Sequence, residues 1–142
     1  MKIFIFLLLS LFLVQPCFAA CIETSRYEVG NYLERTLSCT ATAGGAVTDF
    51  VLTNTEPLVL YGIEYIPGTV SGSANLTLLN AYSRDVFGAG TGLISATKSY
   101  TQPTDTGGSN YYPPERGSLT QTIGTTSANA TFTLVYSFFN VR

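Results

Sequence analysis

ATFTLVYSF, residues 130–138, alternates without a break. Phe132, Leu134, Tyr136 and Phe138 fall on one side, and Thr131, Thr133, Val135 and Ser137 on the other. A repeat of two, rich in β-branched and aromatic residues, is the pattern of a strand with one face in a core and one toward water. Phe139 follows directly, so alternation places it on the polar side with Val135. Two apolar side chains on that side make a small patch suited to contact with another subunit.

The same pattern recurs upstream. In 35–42 (RTLSCTAT), Leu37, Cys39 and Ala41 share a face. Residues 58–66 (LVLYGIEYI) form the most strongly β-forming run, with Gly62 placed for a bulge. Residues 49–54, 75–79 and 118–123 read as further short strands, and Val86-Phe87 as the start of another. The segment 93–100 reads as strand or extended loop. Only 27–37 offers a helical alternative, and Gly30 with its β-favouring neighbours ranks it below strand or irregular structure. Gly44-Gly45, Pro67-Gly68 and residues 80–84 supply turns. Residues 101–117 (TQPTDTGGSNYYPPERG) hold three prolines and three glycines and read as a long loop. About seven short strands separated by turns predict an all-β chain: a single antiparallel β-sandwich or jelly-roll-like domain.

The first residues carry a different message. Lys2, then an apolar run of about a dozen residues, then Gln15-Pro16 and small Ala19-Ala20 have the layout of a secretory signal. A helix over that run would reach only about 18 Å against roughly 30 Å of hydrocarbon, too short for a membrane anchor. Cleavage after Ala19 predicts a signal peptide at 1–19 and one β-domain at 20–142. Phe18-Ala19-Ala20-Cys21 is also an imperfect lipobox, so lipidation of Cys21 and membrane attachment stand as the alternative. Export assigns the remaining cysteines: Cys17 leaves with the signal, and Cys21 and Cys39 form one disulfide in an oxidising compartment. The expected localisation is periplasmic, extracellular or cell-surface.

Composition limits the chemistry. The chain has no histidine, seven Lys and Arg, and nine Asp and Glu, for a formal net charge of −2. Scattered cations make no phosphate-binding patch, so no nucleic-acid partner is expected. Two cysteines without histidine do not complete a zinc site, and no metal or cofactor is expected. Gly88-Ala89-Gly90-Thr91-Gly92 lacks the following helix that a dinucleotide fingerprint needs, and reads as a glycine-rich turn. Nucleophilic catalysis lacks its usual base. Carboxylates exist at Glu56, Glu64 and Asp85, but no motif pairs them. Arg84-Asp85 reads as a turn device. Asn75-Leu76-Thr77 and Asn129-Ala130-Thr131 match the N-glycosylation pattern by chance. No catalytic residues are expected. Tyr111 and Tyr112, in a Gly/Ser/Asn loop, are the clearest contact candidates beside Val135 and Phe139, because tyrosine supplies rigid amphipathic area.

The chain resembles small virion-associated proteins of tailed bacteriophages and prophages. The likeness runs through 37–51 (LSCTATAGGAVTDFV), the strand ending in Pro-Gly at 63–68, the strand, turn and glycine-rich run of 75–92, and the alternating pair within 119–138. It differs in its signal, its cysteine pair and the 101–117 loop. The resemblance implies a non-enzymatic β-domain on a particle or filament, a homo-oligomer or a partner of other structural subunits. An exported binding module, for instance for glycan, is the alternative.

Overall fold

A computed structural model describes residues 20–44, 47–53, 57–105, 108–110, 112, 114–115, 117–126 and 128–141. The expected signal at 1–19 and Tyr111 lie outside the described residues. Among those described there is no helix. All pairing between the nine strands is antiparallel.

The alternating run becomes β9 (Ala130–Asn140), the centre of a large sheet. It lies between β2 (Tyr32–Ala41) and β4 (Leu58–Pro67); β1 (Ala20–Val29) flanks β2, and β6 (Ser99–Thr101) flanks β4. The two-residue β7 (Pro114–Glu115) pairs with the start of β4. A small sheet of β3 (Val47–Leu52), β8 (Leu119–Ile123) and β5 (Leu76–Leu79) faces it. The result is a sandwich with one contiguous core.

The core forms because the inward row of each strand is apolar and loses water together. Leu33, Leu37, Leu60, Ile63, Phe132, Leu134 and Phe138 come from the large sheet, and Leu52, Leu76, Leu78, Leu119 and Ile123 from the small one. Two polar devices are set into it. Tyr136, fully buried, donates to Gln121 Oε1, and Gln121 Nε2 lies 3.0 Å from Cys21 Sγ, tying the sheets across the core. Arg35 occupies an inward position of β2, 6% exposed; its guanidinium donates to both Glu23 carboxylate oxygens, with Nε to Oε1 at 3.0 Å, and to the Thr53 carbonyl at 3.4 Å. Alternation alone would put a hydrophobe there. The pair survives because the charge is matched and hydrogen-bonded.

One local reading changes and three gain detail. Residues 27–37 are strand on both sides of a hairpin turn: β1 and β2 pair with Val29 opposite Tyr32, and Gly30 takes the left-handed φ of 59° that the bend demands. Val86-Phe87 is not a strand. Both residues are buried, but in a loop that runs along the edge of β5, with Val86 N donating to Leu78 O at 2.8 Å. The 101–117 segment is a loop whose two ends are captured, as β6 and β7, by the open edge of β4. In the glycine-rich run, Gly90 has a packing reason: a Cβ there would sit 1.7 Å from the Leu76 carbonyl oxygen, whose residue donates its N–H to Gly90 O.

Candidate binding surface

The outward face of the large sheet follows from its register. Three cross-strand rows run over it. Tyr32, Phe139 and Val59 form the first, and Glu34, Ser137 and Gly62 the second. Thr36, Val135, Glu64 and Tyr100 form the third. The middle row is small, serine beside glycine, while its neighbours carry rings. Small residues between large ones leave a depression. It measures 410 Å³ and is lined by Tyr32, Tyr61, Tyr100, Phe139, Glu34 and Glu64 around Ser137 and Val135. It is an open depression on the sheet face, not an enclosed cavity.

A bulge builds one wall. The β4 register shifts between Leu60 and Gly62, so Leu60 and Ile63 both point inward and Tyr61 is turned out. Tyr61 then meets Phe139 edge-on, with ring centroids 5.3 Å apart and planes at 88°. Phe139 also meets Tyr32, at 5.6 Å and 63°. Tyr112 stacks on Tyr61 at 5.9 Å and 15°. Tyr100 closes the far side. Its hydroxyl lies where a Gly62 Cβ would come within 2.3 Å, so the ring rests across the glycine. Tyr61, Tyr100 and Phe139 remain 41%, 51% and 40% exposed.

The polar groups are acidic and phenolic. Tyr32 OH donates to Glu34 Oε2 at 2.9 Å and shares a 3.2 Å hydrogen bond with Ser137 Oγ. Glu64 Oε1 pairs with Lys98 Nζ at 2.6 Å. The Ser137 hydroxyl draws the Tyr32 phenol toward ionisation, but burial and the Glu34 carboxylate outweigh it and its pKa rises. Burial, with the neighbouring phenols of Tyr61, Tyr112 and Tyr32, raises that of Tyr100. These phenols stay neutral hydrogen-bonding groups well past neutrality.

Two groups of sequence candidates meet here: Tyr112, from the loop, and Phe139 and Val135, from β9. Phe139 does not touch Val135 as an apolar pair, since Ser137 lies between them on the strand; its ring neighbours are Tyr32 and Tyr61. Sequence reading missed Tyr32, Tyr61, Tyr100 and Glu34, because only the strand order brings four segments side by side. The bulge-forming glycine was the one visible signal for Tyr61.

The other candidates take local positions. Cys21 and Cys39 stand directly opposite in the β1–β2 hairpin, with Cα atoms 4.1 Å apart and sulfurs bonded at 2.01 Å. Asp85 Oδ1 accepts from Leu78 N at 3.3 Å and Phe87 N at 3.0 Å, fixing the turn. Asn75 Oδ1 accepts from Gly92 N and Asn129 Oδ1 from Ala43 N, so both sequon asparagines have structural hydrogen bonds.

No family model and no curated protein matches the sequence. Among solved structures, the chain is similar to one described as "Cyanophage Pam1 capsid asymmetric unit", with 11% identity and a TM-score of 0.49, over 83% of this chain and 95% of that chain.

Proposed function

We propose that this chain is an exported, non-enzymatic interaction subunit that works by assembly, with the outward face of its large sheet as the contact. The observation that carries this reading is the convergence of Tyr32, Tyr61, Tyr100, Tyr112 and Phe139 on one open face. Tyrosine is enriched at protein contacts because a large amphipathic ring orders at little entropic cost. A cluster of rings kept half in water has no folding reason, since the core on the other side of the same strands is already filled. The sequence resemblance to phage virion β-domains supports a virion or surface filament as the setting. A Cys21–Cys39 disulfide suits export.

Phe139→Ser and Tyr61→Ser tested by light scattering after size exclusion check the reading. Each is expected to weaken association while leaving the thermal transition nearly in place. A wild-type protein that stays monomeric at high concentration overturns assembly. The near-parallel Tyr61–Tyr112 pair beside Glu34 favours a second reading, a monomer that stacks a sugar ring on the same face. Glycan binding by a monomer, lost in Tyr61→Ser, would select it.

A further inference from the structure

Residues 80–84 form the turn that follows β5 of the small sheet. Tyr82 is 85% exposed, more than any other large hydrophobic side chain described. It is held there firmly. Asn80 Oδ1 accepts from Tyr82 N at 3.0 Å and from Arg84 N at 3.1 Å. Asn80 N donates to Arg84 O and Ser83 N to Asn80 O, both at 2.9 Å. Ser83 sits at φ 58°, the one non-glycine residue described with a left-handed backbone. Asp85, clamped on two backbone N–H groups, anchors the turn to β5. A turn this constrained presents its side chains with little left to order on binding.

The turn also carries an unmatched charge. Among the described residues, Arg26 pairs with Glu28, Arg35 with Glu23 and Lys98 with Glu64, and Arg84 has no ion pair. The hollow has the complementary gap. Lys98 answers Glu64, whereas Glu34 receives only the neutral hydroxyl of Tyr32. Exposed rings beside a carboxylate suit a guanidinium and an aromatic ring, through cation–π, ring–ring and charge-assisted contacts.

We infer that the hollow of one copy receives the Tyr82–Arg84 turn of another, with Tyr82 among Tyr61, Tyr100 and Phe139 and Arg84 on Glu34. This rests on the reading of the sheet face as an assembly contact and names what fills it. The turn follows β5 of the small sheet, whereas the hollow opens on the outward face of the large one, so the two are different patches of the surface. The contact is therefore head-to-tail. Such a contact closes into a ring or runs on as a filament, and does not stop at a two-fold dimer.

The test uses the oxidised protein and two double variants, Tyr82→Ser/Arg84→Glu and Tyr61→Ser/Phe139→Ser, checked for an unchanged β-type circular dichroism spectrum. Wild type is expected to form species larger than a dimer, and each variant to associate at least tenfold more weakly. An equimolar mixture of the two variants keeps one good contact and should stop at a dimer. The charge pair has its own check: Arg84→Glu alone weakens association, and Arg84→Glu with Glu34→Arg restores it. If the hollow variant is monomeric but the turn variant assembles like wild type, the turn is not the occupant, although the sheet face remains a contact. If the hollow variant assembles normally, if the mixture stays monomeric, or if the charge reversal restores nothing, the inference fails. A monomeric wild type overturns both it and the assembly reading.

Discussion

The two faces of β9 make opposite uses of similar residues. Inward, Phe132, Leu134, Tyr136 and Phe138 are almost without exposure, and the Tyr136 hydroxyl is committed to Gln121. Outward, Phe139 and its ring neighbours are part-exposed around a hollow, with the Tyr32 hydroxyl held by Glu34 and Ser137. Burial drives the Tyr136 pKa far up, because an anion there would have neither solvent nor a cation. Aromatic content by itself therefore says little about role. The inner rings hold the sheets together, and the outer rings are available to something else.

That contrast is most severely tested by a matched pair on adjacent residues. Phe138→Ala removes a fully buried ring and is expected to cost about 3–5 kcal/mol in denaturant unfolding. Phe139→Ala should change stability by less than about 1 kcal/mol while weakening association. Equal stability losses would erase the difference between the faces.

Next in size are two supports of the inner face. Replacing Cys21 and Cys39 together by alanine opens an 18-residue separation and should cost roughly 3 kcal/mol. Intact mass before and after reduction checks the bond directly, by two hydrogens. A diacylglyceryl mass on Cys21 would establish the lipoprotein instead. Glu23→Gln leaves the buried Arg35 without its countercharge and should cost about 1–2 kcal/mol, less than a fully buried pair because the Glu23 side of it meets water.

The pH dependence separates the Arg35–Glu23 pair from the rings. The Arg35 hydrogen bond holds the Glu23 carboxyl below its ordinary range, despite the opposing effect of burial. Its stabilisation is therefore present above the ordinary carboxylate pKa and is lost as pH falls below about 4.5. Glu23→Gln should flatten that acid limb. Tyr65 and Tyr136 are raised by burial, so the folded state resists losing their protons. Stability should then fall as pH rises past about 10, where the unfolded phenols ionise first. Urea midpoints across both limbs read these effects.

The smallest change sharpens the outer face alone. Gly62→Ala places a methyl where the Tyr100 hydroxyl lies, so the ring must swing away. Association should weaken several-fold with the core untouched. An unchanged association constant would remove Tyr100 from the contact.

Much of the inner face was legible in the sequence because alternation is a local property: 130–138, 35–42 and 118–123 each display their buried side without reference to any other strand. The fold class followed from such runs and from turn residues between them. The Arg35 position was not legible, since only the neighbouring β1 supplies the Glu23 that permits a charge there. Nor was Tyr61, because alternation carried through 58–66 groups it with Ile63 and Tyr65, and the β4 bulge reverses it. Val86 and Phe87 were recognisable as apolar but not as loop, because an isolated bridge and single hydrogen bonds hold them beside β5 without a regular ladder.

By itself, then, the sequence determined an all-β chain with alternating strands, the cysteines that pair across β1 and β2, and a composition without histidine. Tertiary structure decided the strand order β2-β9-β4-β6, and with it the meeting of Tyr32, Phe139, Tyr61 and Tyr100 around Ser137 and Gly62. The physical reason is one of range. Alternation is written into each strand by the geometry of its own backbone, whereas a hollow between four strands exists only once distant segments have paired in register to close a common core.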